Sequence, residues 1–286
     1  MPLVSAAIIT HNRARYLGDA IRSVLDQSFR DLELIVVDDG STDETPEVVA
    51  PYLDRIRYVR QEHSGKAAAR NAAVALSRGA FFAFCDSDDV WNPDRLERQM
   101  DAFRRNPHVG MVHGHVGIID ENGRPMPERT ASARKLFASA HRHGATYASY
   151  ALDCRCFSST ILLRRNVFEV VGPYDPDLAI EDYDFYLRVL LHFDVLFLGD
   201  EPLAKYRAHD AKTGDLELGS GQIQTAEKHL AYLDDHPDLV GARQARRNFH
   251  LMIARTWRAL GDRRRARAAA LRALRLGSAQ ALRFAR

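Results

Sequence analysis

The chain has 286 residues, of which 46% are hydrophobic and 27% charged, with three cysteines and a formal net charge of +2. This composition is ordinary for a folded globular protein and excludes an intrinsically disordered chain. No apolar run approaches the roughly 18 residues that a membrane-spanning helix requires. The amino terminus enters a strand-like pattern at once, without the pattern of a signal peptide, and the cysteines are odd in number. We therefore expect a reducing, cytoplasmic location.

The small net charge hides an uneven distribution. Residues 241–286 contain 13 arginines and one acid, Asp262, a balance of +12. The other 240 residues carry the remaining 27 basic and 37 acidic side chains, a balance of −10. A basic tail on an acidic body indicates an anionic partner, and we expect peripheral association with the inner face of the cell membrane. The alternative is a solvated helical pair whose arginines cover its outer face.

Four short apolar segments, separated by helical patterns, occupy the first hundred residues. These segments are residues 4–10, 32–37, 56–59 and 81–85. Apolar spacing predicts a helix after the first segment, and Ser41 with Glu44 has the spacing of a capping box after the second. The alanine-rich residues 66–76 predict a third helix, and Asn92-Pro93 begins a fourth. Repeated strand–helix units predict a largely parallel sheet.

The pattern changes beyond residue 108. Residues 109–120 predict a strand that ends in the turn Asn122-Gly123, and shorter strand and helix patterns follow to about residue 210. From about residue 220 onward the chain is helical, and residues 251–276 predict a helical hairpin. One such pair is too little to indicate a repeat array.

The sequence FFAFCDSDD at residues 81–89 combines a buried strand with a cluster of acids. Its apolar part lacks helical alternation, which predicts a strand buried on both faces that ends in Asp86, Asp88 and Asp89. Carboxylates at the end of a parallel strand lie in the crevice where open α/β sheets bind ligands. These carboxylates repel one another unless a cation neutralises them. Oxygen ligands suit Mg²⁺ or Mn²⁺, which proteins bind through one or two carboxylates together with the phosphates of a substrate. The alternative is a solvated turn with an aspartate at a helix cap.

Two further acidic clusters stand elsewhere in the chain. Asp38 and Asp39 end the second predicted strand, and Glu181-Asp182 precedes a helical pattern. Because the second and fourth strands are predicted to be parallel, their carboxyl ends lie at one edge of the sheet. We therefore expect Asp38 and Asp39 to converge on the acids that follow the fourth strand.

Five motifs, taken in order, resemble those of the family 2 glycosyltransferases. They are SAAIITHNR at residues 5–13, VDDGSTD at 37–43, ARN at 69–71, DSDDVW at 86–91 and EDYD at 181–184. Their order and separations also match, and the resemblance covers roughly residues 3–210. It implies an α/β protein with a GT-A fold, a Rossmann-like and mostly parallel sheet flanked by helices. It also implies a nucleoside-diphosphate sugar donor, a divalent metal (Mn²⁺ or Mg²⁺), and inversion at the anomeric carbon.

The resemblance implies a division of the chain into two domains. A glycosyltransferase domain over residues 1–215 would hold a nucleotide-sugar half at about 1–108 and an acceptor half at about 109–215, and residues 216–286 would form an Arg-rich helical extension. The family implies a saccharide or lipid-linked acceptor in cell-surface polysaccharide or glycolipid synthesis, and no nucleic-acid partner. Because the acceptor half carries no further motif, the donor sugar and the acceptor are not specified.

The resemblance assigns the donor-binding residues by position. Thr10 and Asn12 would line the nucleotide pocket, and Asp39 would accept a hydrogen bond from the base, which we expect to be uracil. Arg70 would contact the base or the diphosphate, with assistance from Lys66. The alternative for both basic residues is a charge on an exposed helix face.

The aspartates after the fourth strand form a DXD motif with two roles in the resemblance. Asp86 would lie near the ribose, and Asp88 would be the direct metal ligand, with Asp86 as a further candidate ligand. A bound cation stabilises the charge that builds on a leaving nucleoside diphosphate. Asp89 and Asp94 are alternatively helix-start residues favoured by the helix dipole, which is our interpretation of Asp94.

Attack by an acceptor hydroxyl requires a nearby carboxylate base, because the hydroxyl must lose its proton. The same requirement holds for inverting glycosidases, in which water takes the place of the alcohol. The resemblance makes Asp182 this base, and Glu181 a neighbour that orients Asp182 or the acceptor. The alternative is that both residues only cap a helix.

Four weaker candidates remain. Trp91 would stack on the acceptor sugar, or alternatively pack behind the metal loop. His209 lies where family members carry a histidine or arginine facing the diphosphate, and its alternative is a structural histidine. His113 and His115 share one face of a predicted strand, but without a third ligand we expect no zinc site.

Two other functions share parts of this pattern. A nucleotidyltransferase also needs carboxylates and a metal, but it usually carries a glycine-rich phosphate loop near the amino terminus, and HNRAR at residues 11–15 has no glycine. A non-catalytic nucleotide-sugar-binding protein would lack the metal or base carboxylate, whereas Asp88 and Asp182 are both present. The sequence therefore favours an inverting, metal-dependent glycosyltransferase.

Overall fold

The computed structural model describes residues 1–141, 145–152, 156–199, 201–209 and 215–285. By residue contacts the chain divides into two compact units. The first comprises Met1–Ser139, Cys156–Pro176 and His192–Asp210, and the second comprises Ala140–Arg155, Asp177–Leu191 and Ala211–Arg286. This division does not follow the expected boundary at residue 215, because two earlier segments group with the carboxyl-terminal helices. The expected functional halves stay a prediction.

The first unit contains ten strands in two sheets. The strands are β1 (Val4–Thr10), β2 (Leu32–Asp38), β3 (Arg57–Arg60), β4 (Phe81–Asp86), β5 (Val90–Trp91), β6 (Val109–Gly114), β7 (Val116–Ile119), β8 (Leu162–Arg164), β9 (Asp194–Leu198) and β10 (Ala204–Arg207). The larger sheet has the order β3-β2-β1-β4-β8-β6-β9, and the smaller one has the order β5-β10-β7. Strands β3, β2, β1 and β4 are mutually parallel, while β8 is antiparallel to both its neighbours. A mixed, mostly parallel α/β architecture is thus confirmed.

The apolar runs of the sequence account for the central strands. Each of β1, β2 and β4 presents an almost uninterrupted series of buried residues, as expected for parallel strands covered on both faces. The core beneath them is formed by side chains from both the strands and the first helix, including Ile8, Leu17, Val36 and Ala83. The four predicted strands are therefore confirmed, with the third displaced by one residue.

Twelve helices complete the described part of the chain. They are α1 (Ala14–Leu25), α2 (Thr45–Val49), α3 (Lys66–Leu76), α4 (Arg95–Arg105), α5 (Pro127–His141), α6 (Tyr147–Tyr150), α7 (Asn166–Val171), α8 (Glu181–His192), α9 (Asp215–Asp235), α10 (Ala242–Ala259), α11 (Arg263–Arg275) and α12 (Leu282–Ala285). The predicted capping box is wrong: α2 begins after Glu44, and the Ser41 hydroxyl instead accepts a hydrogen bond from the Asn12 N–H at 3.0 Å. Tertiary contacts have displaced the local cap.

The second unit is built from helices. Its helix α10 packs against α6, α9 and α11, and α10 and α11 form the predicted hairpin around Gly261, whose φ is +86°. Buried alanines on α11, among them Ala266 and Ala273, allow the two helices to lie close together. Within the described residues, none of the helices is both long and apolar enough to cross a membrane.

Candidate functional site

The carboxyl edge of the parallel strands gathers the predicted acids of the first unit. In the register of the sheet, the Cα of Thr10 pairs with Asp38, and the Cα of Ile9 pairs with Asp86. The turns that follow β2 and β4 therefore lie on either side of the end of β1. The predicted convergence of these two acidic clusters is observed.

The two aspartates after β2 have different surroundings. Asp38 is fully buried, and its carboxylate accepts hydrogen bonds from the Ser41 N–H at 2.8 Å and the Tyr58 hydroxyl at 2.6 Å. Burial, and then the hydrogen bond to Asp38, raises the pKa of the Tyr58 phenol well above its ordinary value. Asp38 therefore joins the end of β2 to β3 and to the turn at Ser41.

The Asp39 carboxylate accepts three hydrogen bonds and has the His63 ring close to it. Oδ1 accepts from Gln61 Nε2 at 2.7 Å and from the Ser64 N–H at 2.9 Å. Oδ2 accepts from the Gly65 N–H at 2.9 Å and lies 2.9 Å from His63 Nδ1. A carboxylate offers about four lone-pair sites, so Asp39 holds the loop of residues 61–65 in place.

Glycine is required where that loop approaches the strand. Gly40 has a φ of +74°, and a Cβ at this position would lie 2.8 Å from the His63 backbone nitrogen. The close approach brings the His63 ring onto that of His11, with ring centroids 4.1 Å apart. His11 Nδ1 lies 2.7 Å from the Asp39 carbonyl oxygen, which fixes the orientation of its ring.

Thr10 and Asn12 occupy the turn after β1. The Thr10 hydroxyl is buried and, among the residues that the structure describes, has no hydrogen-bond partner. Because such a group is costly to leave unpaired, it points to a ligand or water at this place. Asn12 has a left-handed φ of 51°, and its Oδ1 accepts from the Thr42 N–H at 2.8 Å. Asn12 thus joins the turn after β1 to the turn after β2.

Arg70 and Lys66 lie on α3 in contrasting positions. The Arg70 side chain is buried, its guanidinium lies 4.5 Å from the centroid of the Phe84 ring, and it donates to Asp86 Oδ1 at 3.3 Å and to the Ser158 hydroxyl at 3.0 Å. An exposed helix-face charge is therefore excluded for Arg70. Lys66 is exposed at the first residue of the helix.

The two neighbouring aspartates in the loop after β4, Asp88 and Asp89, have different surroundings. Asp89 is buried, and its carboxylate accepts from the Ser159 hydroxyl at 2.8 Å and the Arg207 N–H at 3.1 Å. Asp88 is directed elsewhere, and its Oδ2 lies 2.9 Å from Nε2 of His209, a side chain that is 2% exposed. Asp94 lies at the N-cap of α4, in agreement with our interpretation of it as a helix-start residue.

Arg207 brings strand β10 to this loop. Its Nε donates to the Asp88 carbonyl at 2.9 Å, and its NH2 lies 2.9 Å from Asp19. The guanidinium also lies 5.0 Å from the centroid of the Tyr16 ring, on which the His209 ring stacks. Sequence reasoning missed Arg207, because nothing local distinguishes it from the other arginines.

Trp91 is in the core and is unavailable to a sugar. Its side chain is 2% exposed, and the Arg95 guanidinium lies 3.7 Å from the centroid of its ring. Burial lowers the pKa of Arg95 to about 9. The expected stacking of Trp91 on an acceptor is therefore wrong, and the alternative, packing behind the metal loop, is what the structure has.

Glu181 and Asp182 begin helix α8 in the second unit. Glu181 is buried and Asp182 is half-buried. Two residues further on, the buried Asp184 lies 2.8 Å from Arg188 Nε, 2.9 Å from Lys228 Nζ and 3.2 Å from His229 Nε2. Burial opposes ionisation of Asp184, but the hydrogen bond from His229 and the charge of Arg188 outweigh it and hold its pKa well below the ordinary value. This network fixes the first turns of α8.

Comparison with protein-family models identifies the family to which this chain belongs. The model described as glycosyl transferase family 2 matches residues 5–172, more than half of the chain. The chain belongs to glycosyltransferase family 2.

Two curated relatives of the glycosyltransferase illustrate the match. An uncharacterised glycosyltransferase of Nostoc sp. (strain PCC 7120) is 35% identical over 219 residues, which cover 73% of this chain and 65% of the relative. An uncharacterised glycosyltransferase of Haemophilus influenzae is 31% identical over 230 residues, which cover 79% of this chain and 85% of the relative. The glycosyltransferase thus spans about two thirds of the length of the first relative.

Solved structures share the fold. The crystal structure of Staphylococcus aureus TarS 1–349 in complex with UDP-GlcNAc has a TM-score of 0.65 and 18% identity, and the match covers 98% of this chain and 83% of that chain. The mannosyltransferase PcManGT of Pyrobaculum calidifontis, in complex with GDP-Man and Mn²⁺, has a TM-score of 0.64 and 19% identity, with coverage of 99% and 78%. The glycosyltransferase therefore has the expected GT-A fold.

The residues at Asp88 fit a divalent cation. Asp88 Oδ2 and His209 Nε2 lie 2.9 Å apart and offer one oxygen and one nitrogen, while the Asp86 side chain is 37% exposed at the same strand end. Two protein ligands are enough where substrate phosphates complete the coordination shell. Among the described residues, a cluster of three potential ligands occurs instead at His11, Asp39 and His63, with ligand atoms within 4.8 Å of one another.

Proposed function

We propose that this glycosyltransferase transfers a sugar from a nucleoside-diphosphate donor, UDP-linked, to an acceptor hydroxyl with inversion. The observation that carries the proposal is the pair Asp88–His209 beside the pair Arg70–Asp86, at the carboxyl edge of parallel strands. Such an edge is the usual ligand crevice of an open α/β sheet. Family membership favours glycosyl transfer over nucleotidyl transfer.

The donor base would bind at Asp39. Because three hydrogen-bond donors and the His63 ring already surround this carboxylate, a ring N–H of the base must replace one of these neighbours. Gln61 and His63 approach the carboxylate with side chains, which rotate at lower cost than the backbone N–H groups of Ser64 and Gly65 move. The buried Thr10 hydroxyl supplies a further hydrogen-bonding group on the neighbouring strand.

The diphosphate would lie between Arg70 and Asp88. When bound, a divalent cation held by Asp88, together with Asp86 or His209, stabilises the negative charge that develops on the leaving group. Arg70 adds a fixed positive charge, since its guanidinium is buried against Phe84 and cannot swing into solvent. Fixed charges cost little reorganisation when the bond breaks. Lys66 assists from the start of α3.

The acceptor hydroxyl would give its proton to Asp182. Support comes from the half-buried position of Asp182 on a helix whose first turns are fixed by the contacts of Asp184. A base on a rigid element is held in the orientation that proton transfer requires. Glu181 would orient Asp182 or the acceptor.

The class of donor and acceptor follows from the family and not from individual contacts. TarS binds UDP-GlcNAc and PcManGT binds GDP-Man and Mn²⁺, so neighbours of one fold use different bases and sugars. We propose a saccharide or lipid-linked acceptor in cell-surface polysaccharide or glycolipid synthesis. A cytoplasmic location stays a prediction.

The test is release of nucleoside diphosphate from a panel of nucleotide sugars, with Mn²⁺, with Mg²⁺ and with a chelator. We expect slow, metal-dependent hydrolysis of one donor even without an acceptor, and faster release when the acceptor is supplied. Release of pyrophosphate from a nucleoside triphosphate, with none from any nucleotide sugar, would instead support a nucleotidyltransferase and overturn the proposal.

A further inference from the structure

The outer face of α11 is basic and solvent-exposed. Its exposed side chains include Arg264, Arg267, Leu271, Arg272 and Arg275. The opposite face of the helix is buried and consists of Ala266, Ala269, Ala270 and Ala273. The buried side of α11 therefore consists of alanines, and these four arginines lie on its exposed side.

Intramolecular pairing does not neutralise this face. Within the described residues of the second unit, no carboxylate lies within 4.0 Å of the guanidinium groups of Arg264, Arg267, Arg272 or Arg275. The one acid after residue 240 is Asp262, which caps α11 by accepting from the Arg265 N–H at 2.8 Å and lies 3.5 Å from Arg265 Nε. The face carries a concentrated positive charge.

Helix stability does not explain the position of these charges. Arg263, Arg264 and Arg265 occupy the first turn of α11, where the helix dipole disfavours cations by about 0.3–1 kcal/mol each. Cations in the first turn therefore lower the stability of the helix. Arg263 and Arg264 are exposed and recover none of this cost by burial, whereas Arg265 recovers part of it through Asp262 at 3.5 Å and the Trp257 ring at 4.5 Å. This placement points to an anionic partner.

A histidine on α10 lies near one of these arginines. Burial is the main reason that the pKa of His250 is lowered to about 4, and the charges of Arg272 on α11 and Arg246 on α10 lower it further. The charge of Arg272 therefore acts on a group of the neighbouring helix.

An exposed leucine indicates which anionic partner the face fits. Leu271 is 44% exposed, with Arg267 and Arg275 one helical turn away on either side, and Leu282 on α12 is 55% exposed. Apolar side chains among arginines are typical of helices that lie in a membrane interface. Single-stranded nucleic acid would require aromatic stacking surfaces, and the Trp257 ring is covered by the Arg265 guanidinium at 4.5 Å.

We propose that the outer face of α11 docks on an anionic lipid membrane, with its arginines at the phosphate groups of the lipids and Leu271 in the interface. Each basic residue near such a surface is worth roughly 1 kcal/mol, so a face of four arginines is enough for reversible association. The proposal is independent of the sugar-transfer proposal, since it concerns other residues and is measured without donor.

The test is flotation of the full chain with vesicles that contain phosphatidylglycerol and with vesicles of phosphatidylcholine alone. We expect binding to the anionic vesicles at low salt and loss of binding when salt shortens the screening length to about 8 Å. The triple variant R264Q/R267Q/R275Q should bind about 100-fold more weakly. Leu271→Ser should reduce affinity about fivefold, because one apolar side chain leaves the interface.

The matched control is R55Q/R78Q/R105Q, which removes the same charge from exposed arginines of the first unit. It should bind anionic vesicles like the wild type, and circular dichroism should show that all variants are folded. Equal weakening in both triple variants would reduce the effect to net charge and overturn the proposal. Absence of binding to anionic vesicles would also overturn the proposal. The same holds if the chain binds a single-stranded oligonucleotide through the arginines of α11 and does not bind vesicles.

Discussion

The carboxyl edge of the sheet and the outer face of α11 hold charge in opposite ways. At the sheet edge the Asp39 carboxylate accepts from three donors and Arg207 contacts Asp88 and Asp19, so both charges are fixed by protein partners. On α11 the arginines face solvent. Fixed charge is suited to stabilising a developing charge, whereas exposed charge is suited to reversible association. Substitutions should therefore affect chemistry and stability in the first region, and mainly reversible association in the second.

The largest effect should separate two neighbouring aspartates. Asp88→Asn removes a proposed metal ligand and should lower metal-dependent release of nucleoside diphosphate on the order of 10³-fold, because several kcal/mol of charge stabilisation is lost. Asp89→Asn should instead lower the midpoint of thermal unfolding, since Asp89 accepts from Ser159 and Arg207 within the fold. Metal-dependent release in Asp88→Asn at the wild-type rate would contradict the assignment.

The next comparison lies on α8. Asp182→Asn should reduce transfer to the acceptor by about 10²–10⁴-fold, as expected for loss of a general base, with little change in stability or donor affinity. Asp184→Asn breaks a buried ion pair and should lower the free energy of unfolding by about 3 kcal/mol, measured in urea. If Asp184→Asn is as stable as the wild type and loses only transfer, Asp184 would be the general base and Asp182 the structural residue.

Acidification should affect the helical unit through His250. Its pKa in the folded chain, about 4, is below the unfolded value near 6.5, so between these pH values the unfolded chain binds the proton that the folded chain does not. The free energy of unfolding should therefore fall as the pH decreases from 6.5 to about 4. His250→Gln should weaken this dependence, measured by urea unfolding across the range, while the exposed control His236→Gln should keep it.

The smallest effect concerns access to Asp39. In His63→Ala the carboxylate loses the ring nitrogen that lies 2.9 Å from its Oδ2 and becomes more accessible to a base, so affinity for the nucleoside diphosphate should rise about two- to fivefold, since a single hydrogen bond is worth about 1 kcal/mol. Calorimetry checks this, with Glu62→Ala as the control in the same loop. Weaker binding in His63→Ala would indicate that this ring contacts the base itself.

The sequence was informative where local pattern decides the structure. Apolar runs of about six residues predicted β1, β2 and β4, and parallel strand ends predicted that Asp39 and Asp86 would lie at one edge. The sequence did not predict which strands from distant segments pair with each other. Arg207 reaches the Asp88 loop because β10 pairs with β5, across more than a hundred residues. The burial of Trp91 follows from the same pairing.

Competition between local and tertiary hydrogen bonds explains another difference. Ser41 and Glu44 have the spacing of a capping box, but the Ser41 hydroxyl binds the Asn12 N–H from the adjacent strand end. A local motif predicts a helix cap only where no N–H group of a neighbouring segment competes for the same side-chain oxygen. The site residues that sequence reasoning missed, His63 and Arg207, likewise depend on partners that only the fold brings together.

The three arginines in the first turn of α11 have a thermodynamic consequence. An anion that settles against them relieves both their mutual repulsion and their conflict with the helix dipole, so it binds the folded helix in preference to the unfolded chain. By linkage, the lipid that recruits the protein should also raise its melting temperature, by an amount that grows with lipid concentration. Membrane recruitment and the rise in melting temperature would then both result from binding of the lipid to the folded chain.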